Sequence, residues 1–295
     1  MTDIVIDAHQ HVWDLGRATY SWLDSGSAPI DRTIDFDELR PSLRAAGVDG
    51  TVLVQSADNP EDTALMFDVA AANPEVLGVV GYVPLERPDD AAEALEKLKA
   101  NPIFVGVRNL IHDQPDPDWL LRPEVDAGLA LLEAADIPFD LVAVLPRHLE
   151  LVPILSERHP GLRIVIDHLA KPPIGRDSLE PWSSLMAVAA SNPRVFGKVS
   201  GLYSSVGDAA SWTPESVRPS FERAVELFGA DRLMYGGDWP ISVLAGGYER
   251  VWAGLSELFA ELGVPERDAI RGGTARTFYR LDSGKIAQLP VAQPE

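Results

Sequence analysis

Cysteine is absent from the 295 residues, which excludes a disulfide framework and any zinc cluster built on cysteine. That absence is compatible with a reducing cytoplasm. No apolar run approaches the roughly 20 residues that a membrane-spanning helix needs. The amino terminus also lacks the basic and apolar pattern of a secretion signal. We therefore expect a soluble, cytoplasmic protein.

Basic residues are scarce: 25 lysines and arginines stand against 45 aspartates and glutamates, a formal net charge of -20. Such a charge opposes binding to nucleic acid and to anionic membranes, and it disfavours a polyanionic substrate. Hydrophobic residues make up 46% of the chain, as in a globular protein with a large core. We expect a small-molecule substrate, and the composition leaves open whether the chain forms a homo-oligomer.

Helical segments alternate with short apolar strands along most of the chain. An opening strand contains Ile4, Val5 and Ile6. Further strands are predicted at 51–57, 76–83, 103–110, 138–145, 162–169, 194–202 and 231–238. Helices are predicted at 36–47, 61–72, 89–100, 123–135, 147–158, 181–191, 215–228, 248–262 and 266–279.

This alternation predicts the fold class. Strand and helix units in alternation form a parallel sheet with right-handed crossovers, and eight strands favour closure into an α/β barrel of the (β/α)8 type. A doubly wound open sheet is the alternative, but it would carry a glycine-rich phosphate loop after the first strand, where DAHQH stands. We expect one barrel domain over 1–282 and a carboxyl-terminal tail over 283–295.

The segment 14–35 is long for a connection inside a compact domain and has no clear period. Such loops often carry function or cover a site. Trp13 precedes it, and Tyr20 and Trp22 lie within it. Two interpretations stay open: these aromatic side chains line a pocket, or they only pack the loop onto the barrel.

Histidines and a carboxylate fall at predicted carboxyl ends of strands, where the active site of such a barrel lies. His9 and His11 follow the first strand, and residues two apart in extended backbone point to the same face. Two imidazoles aimed at one point suit a metal ion or an oxygen that gains negative charge. The other polar residues at strand ends are Gln55, Tyr82, Arg108, His168, Lys198, Tyr203 and Asp238.

The motifs DAHQH, VIDHLAKPPI, KVSGLY and RLMYGGDWP resemble those of the amidohydrolase superfamily. The segments HVWD, VLVQSA, FVGVRNL and GGTARTFYRL narrow the resemblance to the amidohydrolase-related branch that contains sugar-acid and muconate-type lactonases. The likeness covers residues 7–281. It implies that His9 and His11 match the first-strand pair, His168 the sixth-strand histidine and Asp238 the eighth-strand aspartate.

Two departures from the family pattern bear on the metal. Arg108 stands where binuclear members have a bridging lysine or glutamate, and a guanidinium cannot ligate a metal, so two metals are not expected. No histidine clearly matches the fifth strand, since His148 is expected at the surface, at the start of the next helix. The resemblance then implies either one divalent metal, zinc first, or a metal-free mechanism in which the histidines contact the substrate carbonyl. The metal ligands would be His9, His11, His168 and Asp238.

The resemblance implies a hydrolase that opens a cyclic ester, with a γ-lactone of a sugar acid as the first substrate class. Asp238 would act as general base for water, while His168 and Arg108 would polarise the carbonyl. A structural ion pair is the other interpretation of Arg108. The alternatives are a metal-dependent decarboxylase of an aromatic or unsaturated acid and a non-catalytic binding barrel. The expected substrate contacts are Trp13, Tyr82, Lys198, Tyr203 and Trp239.

Overall fold

A computed structural model describes residues 4–24 and 26–289, and this part of the chain forms one sheet of eight strands. Every strand runs parallel to the next, in the order of the sequence. The strands are β1 Ile6–Gln10, β2 Gly50–Val54, β3 Val76–Gly81, β4 Phe104–Asn109, β5 Phe139–Leu141, β6 Ile164–Ile166, β7 Val195–Val199 and β8 Leu233–Tyr235. The predicted (β/α)8 barrel is confirmed, because a doubly wound sheet would not keep sequential order.

The barrel closes where the last strand meets the first. Just after β8, the Asp238 N–H donates to the His9 carbonyl at 2.7 Å, and the His11 N–H donates to the Trp239 carbonyl at 2.7 Å. Gly237 comes close to β1 as well, since its N–H donates to the Asp7 carboxylate at 2.9 Å. Residues of chemical interest therefore lie on the closing seam itself.

Helices surround the sheet, and many of them begin at a proline. Five of the first eight have proline in the first turn, where its fixed φ suits a helix and no amide hydrogen is needed. The first eight helices are α1 Phe36–Ala45, α2 Pro60–Ala72, α3 Pro88–Lys99, α4 Pro123–Ala135, α5 Pro146–Arg158, α6 Trp182–Ala190, α7 Pro214–Phe228 and α8 Tyr248–Ala260.

The end of the chain differs from its prediction. The single helix expected at 266–279 is two short helices, α9 Val264–Asp268 and α10 Thr274–Phe278, joined by a π-helical turn at Ala269–Gly273. Close packing explains the turn, since a Cβ on Gly272 would lie 2.3 Å from the Ile4 carbonyl oxygen. The tail predicted at 283–295 begins with α11 Ser283–Ile286, and residues 290–295 lie outside the described part of the chain.

The carboxyl-terminal segment packs against the strands. Phe278, Tyr279 and Leu281 are buried in one cluster with apolar residues of β1, β2, β3 and β8. The Tyr279 hydroxyl also donates to the Asp140 carboxylate of β5 at 2.7 Å. In residues 4–24 and 26–289, each helix is too short or too polar to cross a bilayer.

Candidate active site

A cavity of about 220 Å³ opens at the carboxyl ends of the strands. This is the end at which barrels of this type place their reactive groups. Its wall combines aliphatic and aromatic side chains with basic groups and one carboxylate. The lining residues are His11, Trp22, Ser56, Arg108, Leu110, His112, Val142, Val144, His168, Lys171, Asp238 and Ile241.

His9 and His11 converge as the alternation of β1 predicts. Their Nε2 atoms are 3.2 Å apart and their rings meet edge to face. The His11 Nδ1 lies 2.7 Å from the Val54 carbonyl oxygen, which can only accept a hydrogen bond, so the proton is on Nδ1. The lone pair of His11 Nε2 therefore points toward His9 and Asp238.

Asp238 lies between these histidines and the cavity, with only 3% of its surface exposed. Its Oδ1 is 3.5 Å from His11 Nε2 and 3.8 Å from His9 Nε2, and its Oδ2 accepts a hydrogen bond of 3.1 Å from the Tyr203 hydroxyl. Burial opposes ionisation, but the basic side chains around Asp238 outweigh it and hold its pKa below the ordinary value. The side chain is thus an ionised proton acceptor at neutral pH.

His168 approaches Asp238 from an unusual turn. Residues 168–171 all have positive φ, between 48° and 58°, although none is glycine. The His168 Nδ1 lies 2.9 Å from the Ser200 hydroxyl and 4.0 Å from Asp238 Oδ2. Burial lowers the pKa of His168 well below its ordinary value, so the ring is neutral and can donate or accept a hydrogen bond.

An ion-pair network lies beneath the histidines and is fully buried. Asp167 Oδ1 is 3.1 Å from Lys198 Nζ and 3.3 Å from His9 Nδ1. Lys198 also donates to Asp140 at 2.5 Å and lies 3.1 Å from His9 Nδ1. Burial opposes the charge of Asp167, yet Lys198, His9 and Arg108 hold its pKa well below the ordinary value. The network fixes the position of the His9 ring from the side opposite Asp238.

Comparison with known proteins identifies the family. The family model described as Amidohydrolase matches residues 6–281. The chain belongs to the amidohydrolase family. The predicted resemblance is therefore confirmed.

Relatives of this amidohydrolase match it along most of their length. It is 38% identical to an L-fucono-1,5-lactonase of Burkholderia ambifaria over 281 residues, which cover 94% of this chain and 96% of the relative. It is 32% identical to an L-fucono-1,5-lactonase of Burkholderia multivorans, with 96% and 98% covered. A solved structure of an amidohydrolase from Burkholderia multivorans with bound zinc superposes with a TM-score of 0.86 at 28% identity, and covers 95% of this chain and 100% of that one.

The donor atoms of the amidohydrolase site fit one divalent cation. Zinc bonds of about 2.0–2.1 Å in a tetrahedral arrangement separate neighbouring ligand atoms by about 3.3 Å. The His9 Nε2 lies 3.2 Å from His11 Nε2, and the Asp238 Oδ1 lies 3.5 Å from the same nitrogen. His9, His168 and Asp238 also offer ligand atoms within 4.8 Å of one another. A divalent cation would fit among these atoms, and a hydrogen bond from His9 Nε2 to His11 Nε2 is the alternative.

Arg108 is placed both for a structural ion pair and for contact with a substrate. Its Nε lies 3.0 Å from Asp167 Oδ2 and its Nη1 donates to the Gln55 carbonyl at 2.9 Å, so it is part of the buried network. It also lines the cavity. The structural ion pair and a role toward substrate are therefore compatible in this site.

Two of the five expected substrate contacts lie away from the cavity. Trp13 is fully buried, with its indole N–H donated to the Arg32 carbonyl at 2.7 Å, and its ring packs edge to face on Trp22 at 5.3 Å between centroids. Trp22, rather than Trp13, lines the cavity, held by a 2.7 Å hydrogen bond to the Ser56 carbonyl. Tyr82 lines a separate cavity between α2 and α3.

The other three expected contacts support the site from behind. Lys198 is fully buried in the ion-pair network, and Tyr203 holds Asp238. Trp239 is buried in the cluster that contains Trp13 and is followed by a cis peptide bond to Pro240. None of the three is among the residues that line the described cavity.

His148 differs from its predicted place. It does begin a helix, in the first turn of α5, but it is buried rather than at the surface. Its Nδ1 accepts a hydrogen bond of 3.2 Å from the Val144 N–H, so it caps the chain entering α5. A short polar ring at a helix start can satisfy free amides there, which favours burial.

Sequence reasoning missed several residues of this site. Lys171 and His112 line the cavity, and Asp167 joins Arg108, Lys198 and His9. The available signal for Asp167 was its place directly before His168 at a strand end. No sequence signal indicated Lys171, because it reaches the cavity through a left-handed turn that non-glycine residues rarely form.

Proposed function

We propose that this amidohydrolase opens the lactone ring of a sugar acid with a water molecule activated by Asp238. The observation that carries the proposal is one buried, ionised carboxylate that faces a small cavity between histidines and basic side chains. The names of the two Burkholderia lactonases support the same chemistry. A γ-lactone was the first expectation, whereas these names favour a six-membered 1,5-lactone.

Asp238 acts as the general base. It accepts a proton from water as the water oxygen bonds to the lactone carbonyl carbon, a role that contributes about 10²–10⁴-fold to a rate. The Tyr203 hydroxyl holds Oδ2, which leaves Oδ1 on the histidine side. The negative charge that develops on the carbonyl oxygen is stabilised by His168 and by the guanidinium of Arg108.

The cavity shape suits a single sugar ring. Trp22 supplies an aromatic face, and Leu110, Val142, Val144 and Ile241 supply aliphatic contacts. Ser56 and His112 add polar groups for ring hydroxyls. Apolar and polar side chains in the same wall suit a sugar lactone, which presents ring C–H groups as well as hydroxyls.

A divalent metal, with zinc as the first candidate, would be held by His9, His11, His168 and Asp238. When bound, such an ion polarises a carbonyl or lowers the pKa of water. The chain's own contribution is unchanged, because Asp238 takes the proton and Arg108 faces the substrate. In the metal-free alternative, His168 donates a hydrogen bond to the carbonyl oxygen directly.

Other assignments follow from this proposal. The decarboxylase and the non-catalytic barrel are not favoured, since both curated lactonase relatives match nearly the whole chain. A role in carbohydrate metabolism follows from the substrate class. The single domain over 1–282, the cytoplasmic location and the choice between monomer and homo-oligomer stay predictions.

The test is a lactone panel followed by proton release at constant pH. L-fucono-1,5-lactone, a sugar γ-lactone and a hydroxybenzoate are each incubated with enzyme, with buffer blanks to subtract spontaneous hydrolysis. We expect acid release above the blank from a sugar lactone and no carbon dioxide from the aromatic acid. Repeating the assay after chelation, with metal content measured in parallel, separates the two mechanisms. Carbon dioxide release, or binding of lactones without acid release, would refute the proposal.

A further inference from the structure

Lys171 ends the left-handed turn that also carries His168. The Lys171 N–H donates to the His168 carbonyl at 3.0 Å. Residues three apart in a helical turn lie on the same face, and both side chains line the cavity. Non-glycine residues are strained in this backbone region, because the Cβ comes too close to the following carbonyl oxygen. A strained turn that presents two polar side chains to one cavity points to a function for both.

Lys171 differs from the other basic groups of the site in its partners. Arg108 pairs with Asp167, and Lys198 pairs with Asp140 and Asp167. Among the described residues, no carboxylate lies within ion-pair distance of the Lys171 ammonium, which donates to the Ser204 hydroxyl and is attracted by Asp238 from farther away. Ser204 in turn donates to the Gly201 carbonyl at 2.6 Å, so its oxygen is oriented toward the ammonium. An ammonium has three donors, and two remain for a ligand.

The leaving oxygen of the proposed reaction needs a proton donor, and the candidates are Lys171 and the Asp238 carboxyl that the first step has protonated. Opening a lactone releases its ring oxygen as an alkoxide, which is a poor leaving group until it is protonated. Asp238 takes up a proton on the side of the water molecule. Arg108 cannot release a proton in a protein. His112 is uncharged at neutral pH, because burial lowers its pKa to about 4.

We propose that Lys171 is a catalytic residue that donates a proton to the leaving ring oxygen, an inference that rests on the proposed lactonase function. The water oxygen bonds to the carbonyl carbon while Asp238 takes one water proton. The bond from that carbon to the ring oxygen then breaks, and the ring oxygen takes a proton from the Lys171 ammonium. The new carboxylic acid ionises. Two protons are then available: the one that Asp238 took from water and the one that the carboxylic acid released. One of them returns to Lys171, and the other enters solvent.

Two substitutions and two substrates test this role. Lys171→Met removes the charge and the proton, whereas Lys171→Arg keeps the charge but has no proton to give. Each variant is assayed on a sugar 1,5-lactone and on the corresponding thiolactone. A thiol has a pKa of about 8.5, so a thiolate leaves without a proton donor. Lys97→Met, an exposed lysine of α3 paired with Glu93, is the matched surface control.

We expect both Lys171 variants to lose at least about 100-fold in kcat on the oxygen lactone, the lower range for general acid catalysis. Both should turn over the thiolactone close to the wild-type rate, and thermal midpoints should match the Lys97→Met control. Wild-type kcat in Lys171→Arg would overturn the role, as would equal losses on both substrates. If the wild-type enzyme hydrolyses neither lactone, the proposed function fails instead, so the two failures are distinguishable.

Discussion

Arg108 connects the cavity with the buried network, and its two functions should be separable by measurement. Its guanidinium lies 3.0 Å from Asp167, and only 4% of its surface is exposed. Removing one partner of a buried ion pair leaves the other charge without compensation. Asp167 keeps Lys198 at 3.1 Å, so part of the compensation survives.

Arg108→Met is therefore expected to reduce both activity and stability. The loss of one electrophilic donor should lower kcat/KM by at least about 100-fold. The unfolding free energy should fall by about 3 kcal/mol, the lower end for a broken buried pair. Denaturant unfolding and lactone kinetics measure these effects, with Arg87→Met at the exposed start of α3 as control. An Arg108→Met enzyme with wild-type kcat/KM would exclude any role toward substrate.

At the residue scale, site residues at the ends of strands could be predicted from the sequence, whereas site residues in a left-handed turn could not. His9, His11 and Asp238 could be proposed because strand ends of a barrel converge on one point. Lys171 could not, because four consecutive left-handed residues have no reliable sequence signature. The choice between Trp13 and Trp22 also escaped prediction, since both are aromatic and only the packing of the 14–35 loop decides which ring faces the cavity.

At the scale of elements, the site depends on close approach of two segments after β6 and β7. Gly201 has a φ of +56°, and a Cβ there would lie 2.6 Å from both Asp238 Oδ2 and His168 Nδ1. The segment after β7 thus contacts Asp238 and His168 together. Only glycine combines this backbone conformation with this approach.

Gly201→Ala should separate Asp238 from His168 and strain the backbone. We expect a loss of about 1–3 kcal/mol in stability and a fall in kcat larger than the rise in KM. Gly207→Ala is the control in the same connection, because no atom lies within 4 Å of its added Cβ. Thermal unfolding and steady-state kinetics of the two variants provide the comparison. If Gly201→Ala behaves like Gly207→Ala, the proposed contact between these segments is absent.

Element boundaries were predicted best where local chemistry decides them. Helix α4 was predicted without error, and α2, α3, α5 and α7 begin one residue early, at proline. Strands β5, β6 and β8 are three residues long instead of eight. After β6 and β8, residues that include Asp167, His168 and Asp238 leave the sheet to form the site, as in the turn at Asp167–Ala170. Apolar content alone does not predict this.

At the scale of the whole molecule, catalytic groups and barrel closure share the same residues. The Asp238 N–H donates to the His9 carbonyl across the closing seam, so the first and last strands meet at the proposed general base. The sequence predicted this meeting once the strand count of eight was clear. It could not predict that Asp238 has a φ of 52°, the conformation that turns its side chain toward the histidines.

The most direct measurement is the turnover of Asp238→Asn. Asparagine tolerates the left-handed conformation and preserves shape, so the barrel should stay folded, while the basic oxygen is lost. We expect retained lactone binding, an unchanged thermal midpoint and a fall in kcat of at least about 100-fold. Asp68→Asn, an exposed aspartate paired with Arg17, should match wild type. Near-normal turnover of Asp238→Asn would contradict the account of Asp238 as the general base.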